Sequence, residues 1–522
     1  MVYIREIGKK SYGYYILIHW VFYPGNLKTM KVFLYTIDYR YIARRKEMME
    51  CMEVIYDVII VGGGPAGLSV GAELSKQGNK VLLIEKGSIG HTDRAWIVPG
   101  SIIAKLDGDV QKFAYNGVTR FLEYTSGLEI KWDAVAPWDS APEWRKYPYI
   151  NQQGILTYWA EVMRNYGSYV LEDCAHVDYT VTDEMIVLKA VTSNLYTNYK
   201  ARLLLDASGY SSEIAKKNRV SREDYFWWSV YGYEIEFADV SQLKHPGKLG
   251  NMKIGDYMLW QSFQDTPMDS EATLSQLRPI MEYEVLDEKT VFVFILYFCE
   301  KTVQKDFMKN QFDYILQNEE SIQGFKQGTL VKERFGWYPS NGLSQQLAVD
   351  RVAFIGDAGC WTIPAGWGMS FILDNYQTYA ENINNALVNN RLDSKTLNKA
   401  AMFNKKQKYE VIMDKVVLHF LAFASPSLID RFTKVVMDSF GGERLETMFC
   451  LQMSEQQAIQ MLKVVLKEFT PKELFSVMKN QHDYLLLFEV AKDFGEATIV
   501  DAFHKLFSKK PEDAGFEFQR KD

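Results

Sequence analysis

The clearest pattern in the chain is a short apolar run that stops on glycines. Val58 to Val61 (VIIV), led by Tyr56, has four consecutive β-branched residues and no polar alternation. That pattern fits a strand covered on both faces, as in a parallel sheet. It runs into Gly62-Gly63-Gly64-Pro65-Ala66-Gly67 and then into Leu68 to Gln77, where Leu68, Ala72 and Leu74 suit one helical face. Lys80 to Ile84 (KVLLI) predicts a second buried strand, which ends on Glu85. Ala201 to Ser212 and Arg351 to Leu373 each open with another such strand, the first ending in Asp206 and the second in Gly356-Asp357. Between them, Trp228 to Phe237, Tyr257 to Asp265, Pro279 to Leu286 and Val291 to Phe298 read as aromatic-rich strands. From Met453 to Lys509 the period becomes helical, with Ile459, Leu462, Val465 and Leu466 as an apolar stripe read as core, and Thr470-Pro471 with Glu473 as a cap and first turn.

Ahead of this lies Tyr14 to Tyr23 (YYILIHWVFY), a ten-residue run broken by His19 and ended by Pro24. A membrane-spanning helix needs roughly 20 apolar residues, and no stretch of the chain reaches that length. Residues 25–50 are basic and aromatic without a partner pattern, so 1–51 is read as an accessory extension, with a membrane-surface anchor as the alternative.

The glycine segment has a strand before it, a helix after it, and an acidic residue closing the next strand about 20 residues on, the context that makes a GxGxxG a dinucleotide site. Gly62 permits the tight turn, Gly64 lets a pyrophosphate approach the backbone, and Gly67, beside Ala66, lets the helix close on the strand. The phosphates meet unpaired N–H groups at a helix N-terminus, where the dipole favours negative charge. Glu85 is placed to accept from ribose hydroxyls. Asp206 with Gly209, and Gly356-Asp357 with the Pro364, Gly366, Gly368 turn, add two distant strand-end sites that suit a long cofactor touched at several places.

This three-part signature resembles the FAD-binding superfamily of aromatic hydroxylases, geranylgeranyl reductases, flavin halogenases and lycopene cyclases. The resemblance implies FAD, with Asp357 near the ribityl chain, the helix from Gly366 to Gly368 aimed at the flavin pyrimidine edge, and Arg94 as a cofactor contact. It implies an α/β chain in which a Rossmann-like FAD-binding domain (52–222 and 330–400) carries a mixed-sheet substrate domain (223–329) and a helical C-terminal region (401–522). The strands Trp228 to Phe237, Tyr257 to Asp265 and Pro279 to Leu286 are similar in order and spacing to those of lycopene cyclases. Those enzymes carry an adjacent glutamate pair in the following strand, one being the proposed acid; here the places fall on Phe294 and Ile295. Glu282 and Glu284, on one face of the partner strand, are the substitute acids, although a solvated strand face is their plainer reading. Trp228, Trp260 and Phe294 are expected to line the substrate pocket. Trp361-Thr362-Ile363-Pro364 is similar to a halogenase segment but lies inside the last flavin motif, and we treat it as coincidence.

Composition narrows the function classes. The 59 Lys and Arg against 66 Asp and Glu leave a net charge of −7, so the chain lacks the basic balance of a general nucleic-acid binder. Seven scattered histidines and five cysteines without a CxxC make no metal-ligand spacing and fit a reducing, cytoplasmic setting. Aromatic residues make up 14% of the chain, enough to wall a large apolar pocket as well as fill cores. No second GxGxxG follows a strand, so an electron donor such as NADPH would have no domain of its own. The expected function is reduction or hydroxylation of a long isoprenoid or carotenoid-like substrate, with peripheral membrane contact to reach it. Redox-neutral cyclisation by the reduced flavoprotein and lipid binding without turnover are the alternatives.

Overall fold

A computed structural model describes residues 3–6, 14–21, 31–38, 54–91, 95–124, 129–132, 147–218, 227–260, 279–299, 301–340, 346–361, 368–401, 420, 423–440 and 455–477. Arg94, Pro364 and Gly366 of the expected cofactor set lie outside these residues.

The β-branched runs do form a parallel sheet. Ile55–Val61 lies between Val81–Ile84 and the second half of Leu195–Asp206, with Tyr169–Leu171 and Val352–Phe354 extending the parallel array on either side. Strand alternation splits the core in two. Val58, Ile60, Leu83, Leu203 and Leu205 face one side, where the helices Pro65–Lys76, Gln152–Asn165 and Gly368–Val388 pack. Ile59, Val61, Leu82, Ile84 and Leu204 face the other, against a meander of Cys174–Val181, Ile186–Thr192 and the first half of Leu195–Asp206. Both faces being covered explains why these strands carry no polar alternation.

A second sheet of seven strands runs in the order Thr329–Pro339, Trp227–Glu236, Thr290–Cys299, Ile280–Val285, Asp256–Trp260, Arg120–Tyr124 and Glu129–Trp132. It is mixed, because Arg120–Tyr124 joins Asp256–Trp260 in parallel while the other pairs are antiparallel. Its membership departs from the expected division of the chain. Arg120–Tyr124 and Glu129–Trp132 come from inside 52–222, and Thr329–Pro339 crosses the 330 boundary. Their pairing is with strands far along the chain, which local periodicity does not encode.

One face of this sheet, with Met258, Trp260, Met281, Tyr283, Val293 and Ile295, is filled by Met308, Phe312 and Ile315 of the helix Lys305–Asn318 and by Phe325 of the turn after it. A small antiparallel sheet of Ala95–Ile97, Tyr147–Asn151 and Ala114–Val118 stands at the opposite face. It joins the two larger sheets: Trp96 packs on the parallel-sheet core, while Tyr147 and Tyr149 pack with Phe121, Tyr257 and Leu286.

The run at Tyr14–Val21 is a strand, paired with Tyr3–Glu6 and Lys31–Asp38 in a separate three-stranded antiparallel sheet. Among the described residues this sheet bonds to no other strand. A chain beginning at Met52 is therefore expected to stay soluble with an unchanged thermal midpoint. Insoluble protein on that truncation would show that the extension covers part of the core.

In the C-terminal region, the helices Pro426–Phe440 and Glu455–Glu468 meet through stacked Phe420 and Phe432, with Phe469 edge-on to Phe420. Of the expected apolar stripe Val465 is buried and Ile459 half-buried, and Met461 is buried beside them. The expected cap is present as a reciprocal pair: the Thr470 N–H donates to Glu473 at 2.8 Å and the Glu473 N–H to Thr470 Oγ1 at 3.3 Å. No helix among the described residues is long and apolar enough to cross a membrane.

Candidate functional site

The register of the parallel sheet gathers the separated motifs at one edge. Val61 pairs with both Ile84 and Asp206, and Asp206 pairs with Phe354, so four strands end level with one another. The loops leaving them carry Gly62–Gly67, Glu85, Gly209 and Gly356-Asp357, which is where α/β sheets bind ligands. These loops interlock. A Cβ on Gly62, at φ +111°, would stand 2.3 Å from the Ala207 carbonyl oxygen, and one on Gly67 would stand 2.1 Å from that of Gly62. Gly356 brings its loop against Ala66, where an added Cβ would meet the Ala66 methyl at 2.9 Å.

Gly64 differs from these. Among the described residues nothing lies within 4 Å of the place its Cβ would occupy, and the same holds at Gly209. Gly64 caps the helix Pro65–Lys76 without a side-chain hydrogen bond, and the first turn holds no acidic residue. A bare helix N-terminus facing open space is the cradle a pyrophosphate needs, so these residues fit a bound FAD. Glu85 binds the glycine loop itself, accepting from the Gly63 N–H at 2.6 Å and the Gly87 N–H at 2.8 Å. Each carboxylate oxygen keeps a further lone pair for a ribose hydroxyl.

Asp206 takes a different role from the expected one. It is wholly buried, and it accepts from the Ser208 N–H at 3.1 Å, the Ser208 hydroxyl at 2.6 Å and the Ser212 hydroxyl. Its carboxylate shapes the loop that presents Gly209 and does not reach out to a ligand. The next residue in that loop, Tyr210, packs edge-on against Trp227 at a centroid distance of 4.4 Å, tying the cofactor edge to the seven-stranded sheet. Asp357 is half-buried in the single turn Gly356–Gly359, and Gly368 opens the helix Gly368–Val388.

The expected pocket residues divide between the two faces of the mixed sheet. Trp228 lies opposite Phe298 and Tyr338, and Phe294 lies opposite Glu282 and stacks on Phe292 at 4.5 Å. Cross-strand partners share a face, so Trp228, Phe292, Phe294, Phe298, Tyr338, Glu282 and Glu284 stand together. Trp260 does not join them. It pairs with Met281 and packs edge-on against Tyr124 within the core on the far face. In Asp256–Trp260 the alternation instead sends Tyr257 and Leu259 toward the glutamates.

Glu282 and Glu284 are half-buried, and side chains from other strands lie against both. Gly336, on the same face, has no described atom within 4 Å of its Cβ position. The Tyr257 hydroxyl donates to Glu282, and that of Tyr149 to Glu284 at 3.4 Å. Burial pushes the Glu282 carboxyl up to about 7. Burial, followed by the neighbouring Glu282 charge, pushes Glu284 up to about 8. A third carboxyl, Glu123, was not singled out from the sequence. It stands two strands across from Glu282, beyond Leu259, accepts from Thr433 at 3.4 Å, and is pushed by burial up to about 7.

These shifts set a pH dependence of stability. A carboxyl whose folded value is raised stabilises the fold while protonated, fully below the ordinary carboxylate range, and that contribution is lost as pH rises through the folded value. The three glutamates therefore lower stability between pH 5 and pH 8, by on the order of a few kcal/mol in sum. His176, pushed down by burial, opposes them as a single group. Urea unfolding at the two pH values should show the fall, and Glu284→Gln should reduce it; a stability that rises over this interval would contradict the assignment.

On the far face, Asp256 binds Arg120 Nε at 2.6 Å and His245 Nε2 at 2.7 Å, and His245 Nδ1 meets the Tyr283 hydroxyl at 2.8 Å. Arg120 and His245 together hold Asp256 below the usual carboxylate range despite its burial. Tyr283 sits between Glu282 and Glu284 in sequence and points the opposite way, so this network anchors the strand that presents them.

Comparisons with known proteins agree with this arrangement. Residues 59–210 match the family model described as pyridine nucleotide-disulphide oxidoreductase. No curated protein sequence matches the chain. Among solved structures, a geranylgeranyl bacteriochlorophyll reductase-like protein from Thermoplasma acidophilum aligns with a TM-score of 0.60 at 17% identity, over 81% of this chain and 99% of that one. The halogenase PltM in complex with phloroglucinol and FAD aligns at 0.54 and 14%, over 87% and 96%. A p-nitrophenol 4-monooxygenase from Pseudomonas putida aligns at 0.51 and 16%, over 81% and 99%. The chain thus has the fold of the FAD-dependent reductases, halogenases and hydroxylases that its motifs resemble.

Proposed function

We propose that this protein is an FAD-dependent oxidoreductase that reduces a carbon–carbon double bond of a long, apolar, isoprenoid or carotenoid-like substrate. The observation that carries the reading is Glu282. It lies directly across from Phe294, one of the two places where lycopene cyclases are expected to carry their acid, so its Cβ is only roughly 5 Å from that position on the same face. The acid is displaced to the adjacent strand rather than lost.

Reduced FAD, when bound, supplies two electrons and one hydrogen to one carbon of a double bond. The other carbon needs a proton. Glu282 retains one near neutral pH, and its O–H breaks as the new C–H forms. The carboxylate left behind keeps its hydrogen bond from Tyr257. Trp228, Phe292, Phe294 and Phe298 give the substrate an aromatic wall, which also favours positive charge developing on the carbon chain. Hydroxylation requires no such acid, so the buried glutamates support reduction over it. A protein that only stored lipid would gain nothing from enclosing three carboxyl groups, each costly to bury.

Cyclisation is the second reading, supported by the same acid and differing in leaving the substrate mass unchanged. NADPH is the candidate donor for reducing the flavin, and contact with a membrane surface would bring the substrate within reach. Mass spectrometry of lipids that copurify with the yellow protein tests the substrate class. Linear unsaturated isoprenoids are expected; a small polar aromatic compound in their place would contradict the proposal.

A further inference from the structure

We propose that the long substrate enters, and leaves its tail, over Gly336 on the edge strand Thr329–Pro339, the side of the mixed sheet's substrate face that no other element closes among the described residues. The inference rests on the isoprenoid reading above and adds the way in.

The other borders of this face are closed by contacts. Along the margin at Arg120–Tyr124 lies the helix Pro426–Phe440, with Thr433 donating to Glu123 at 3.4 Å and both residues buried. Phe423, just ahead of that helix, reaches Phe298 at a ring-centroid distance of 6.3 Å. At the end holding Glu284 the small sheet covers the strands, where Tyr149 donates to Glu284 and Tyr147 packs edge-on against Phe121 at 5.1 Å. At the opposite end Trp227 meets Tyr210 of the cofactor loop. Thr329–Pro339 pairs with Trp227–Glu236 on its inner side and with no described strand on its outer side.

Gly336 is the gap in that open margin. Its backbone is not left-handed, so conformation does not demand a glycine, and no described atom lies within 4 Å of its Cβ position. Its neighbours on the same face are held by inner-strand partners: Arg334 donates from Nε and Nη2 to Glu234 at 2.9 and 2.6 Å, and Tyr338 stacks on Trp228 at 6.2 Å. Gly232, also on this face, is closed in by contrast, since a Cβ there would stand 2.1 Å from the Val293 carbonyl oxygen. Inward from Gly336 the directly opposed residues are Val230, Leu296 and Ile280, all apolar, and Ile280 lies beside Glu282 on the same face. That line crosses three strand spacings, about 14 Å, so a chain long enough to pass Glu282 extends to the opening. The edge strand is also apolar where it meets water, with Leu330, Val331 and Trp337 exposed by 47%, 50% and 55%, which suits an arriving hydrocarbon chain.

The test uses the oxidised, FAD-loaded full chain with geranylgeraniol as the probe. In Gly336→Cys, alkylation of the introduced thiol is followed by peptide mass spectrometry with and without the probe. A bound chain lying over the thiol should slow alkylation roughly tenfold when the probe stands at about ten times its dissociation constant. Gly336→Leu should weaken geranylgeraniol binding in equilibrium dialysis by roughly tenfold, with FAD content and thermal midpoint at the parent values, because the space its side chain takes is open in the chain itself. Alkylation that is not slowed while the probe is bound overturns the entrance and leaves the substrate class standing, whatever Gly336→Leu does. Failure of the parent protein to bind the probe overturns the isoprenoid reading, and the entrance with it.

Discussion

Gly64→Val is expected to yield a folded, soluble and colourless protein. The effect should be confined to cofactor binding, because the Cβ position at Gly64 meets no described atom within 4 Å, and the valine therefore fits the chain itself. What it fills is the space before the uncapped N-terminus of Pro65–Lys76, where the pyrophosphate must approach. Each hydrogen bond to a charged group contributes about 1.5–3 kcal/mol, so losing two weakens FAD binding by roughly a hundredfold or more. Gly62 and Gly67 are poorer places for this experiment. Side chains there collide with backbone oxygens at 2.3 and 2.1 Å, so unfolding would mask the loss of cofactor. Flavin absorbance after gel filtration and the far-ultraviolet spectrum measured together decide the matter: full flavin content in a folded Gly64→Val protein would mean that the phosphates lie elsewhere.

Glu282→Gln should bind FAD normally, accept electrons into the flavin normally, and form product roughly a hundred- to ten-thousandfold more slowly, the usual span for loss of a general acid. Glutamine keeps the shape and can still accept from Tyr257, but it carries no transferable proton. The pH profile sharpens this expectation. With the Glu282 carboxyl pushed up to about 7, turnover in the parent protein should fall as pH rises through that value, and this fall should vanish in the variant. Separate stopped-flow measurements of flavin reduction and of product formation check the division. Equal slowing of both steps would show that Glu282 supports the cofactor and does not act on the substrate.

Much of the cofactor edge was readable along the chain because each part is local. A β-branched run, its glycine turn and the helix that follows lie within about 20 residues, and Gly62, Gly64 and Gly67 each answer a separate steric demand. The level ending of four strands then follows from their pairing, which brings Glu85, Gly209 and Gly356 to the same edge. Asp206 looked like a ligand contact because it ends a strand, yet the serines two and six residues later capture its carboxylate.

The substrate side was less readable. Alternation correctly grouped Glu282 with Glu284, but whether that face meets water depends on Tyr149 and Tyr257, which distant strands bring against it. Trp260 shows the same limit in reverse. An aromatic residue in an aromatic strand suggests a pocket wall, and a register in which Tyr257 faces the glutamates places Trp260 in the opposite core. Glu123 gave no signal, since its burial arises from parallel pairing with Asp256–Trp260 and from the helix Pro426–Phe440, neither of which is near it in sequence.

The most direct test of proton-assisted reduction is to mix the fully reduced holoprotein, without oxygen and in deuterated water, with a linear polyunsaturated isoprenoid and to weigh the products. The flavin is reduced in deuterated solvent with NADPH or dithionite beforehand. The account predicts a product with one double bond saturated and deuterium on both of its carbons, one delivered from the reduced flavin, whose transferable hydrogen exchanges with solvent, and one from Glu282, strongly diminished in Glu282→Gln. A ring-bearing product with no double bond reduced, formed by the parent protein and lost in the same variant, would contradict it and assign the buried glutamate to cyclisation.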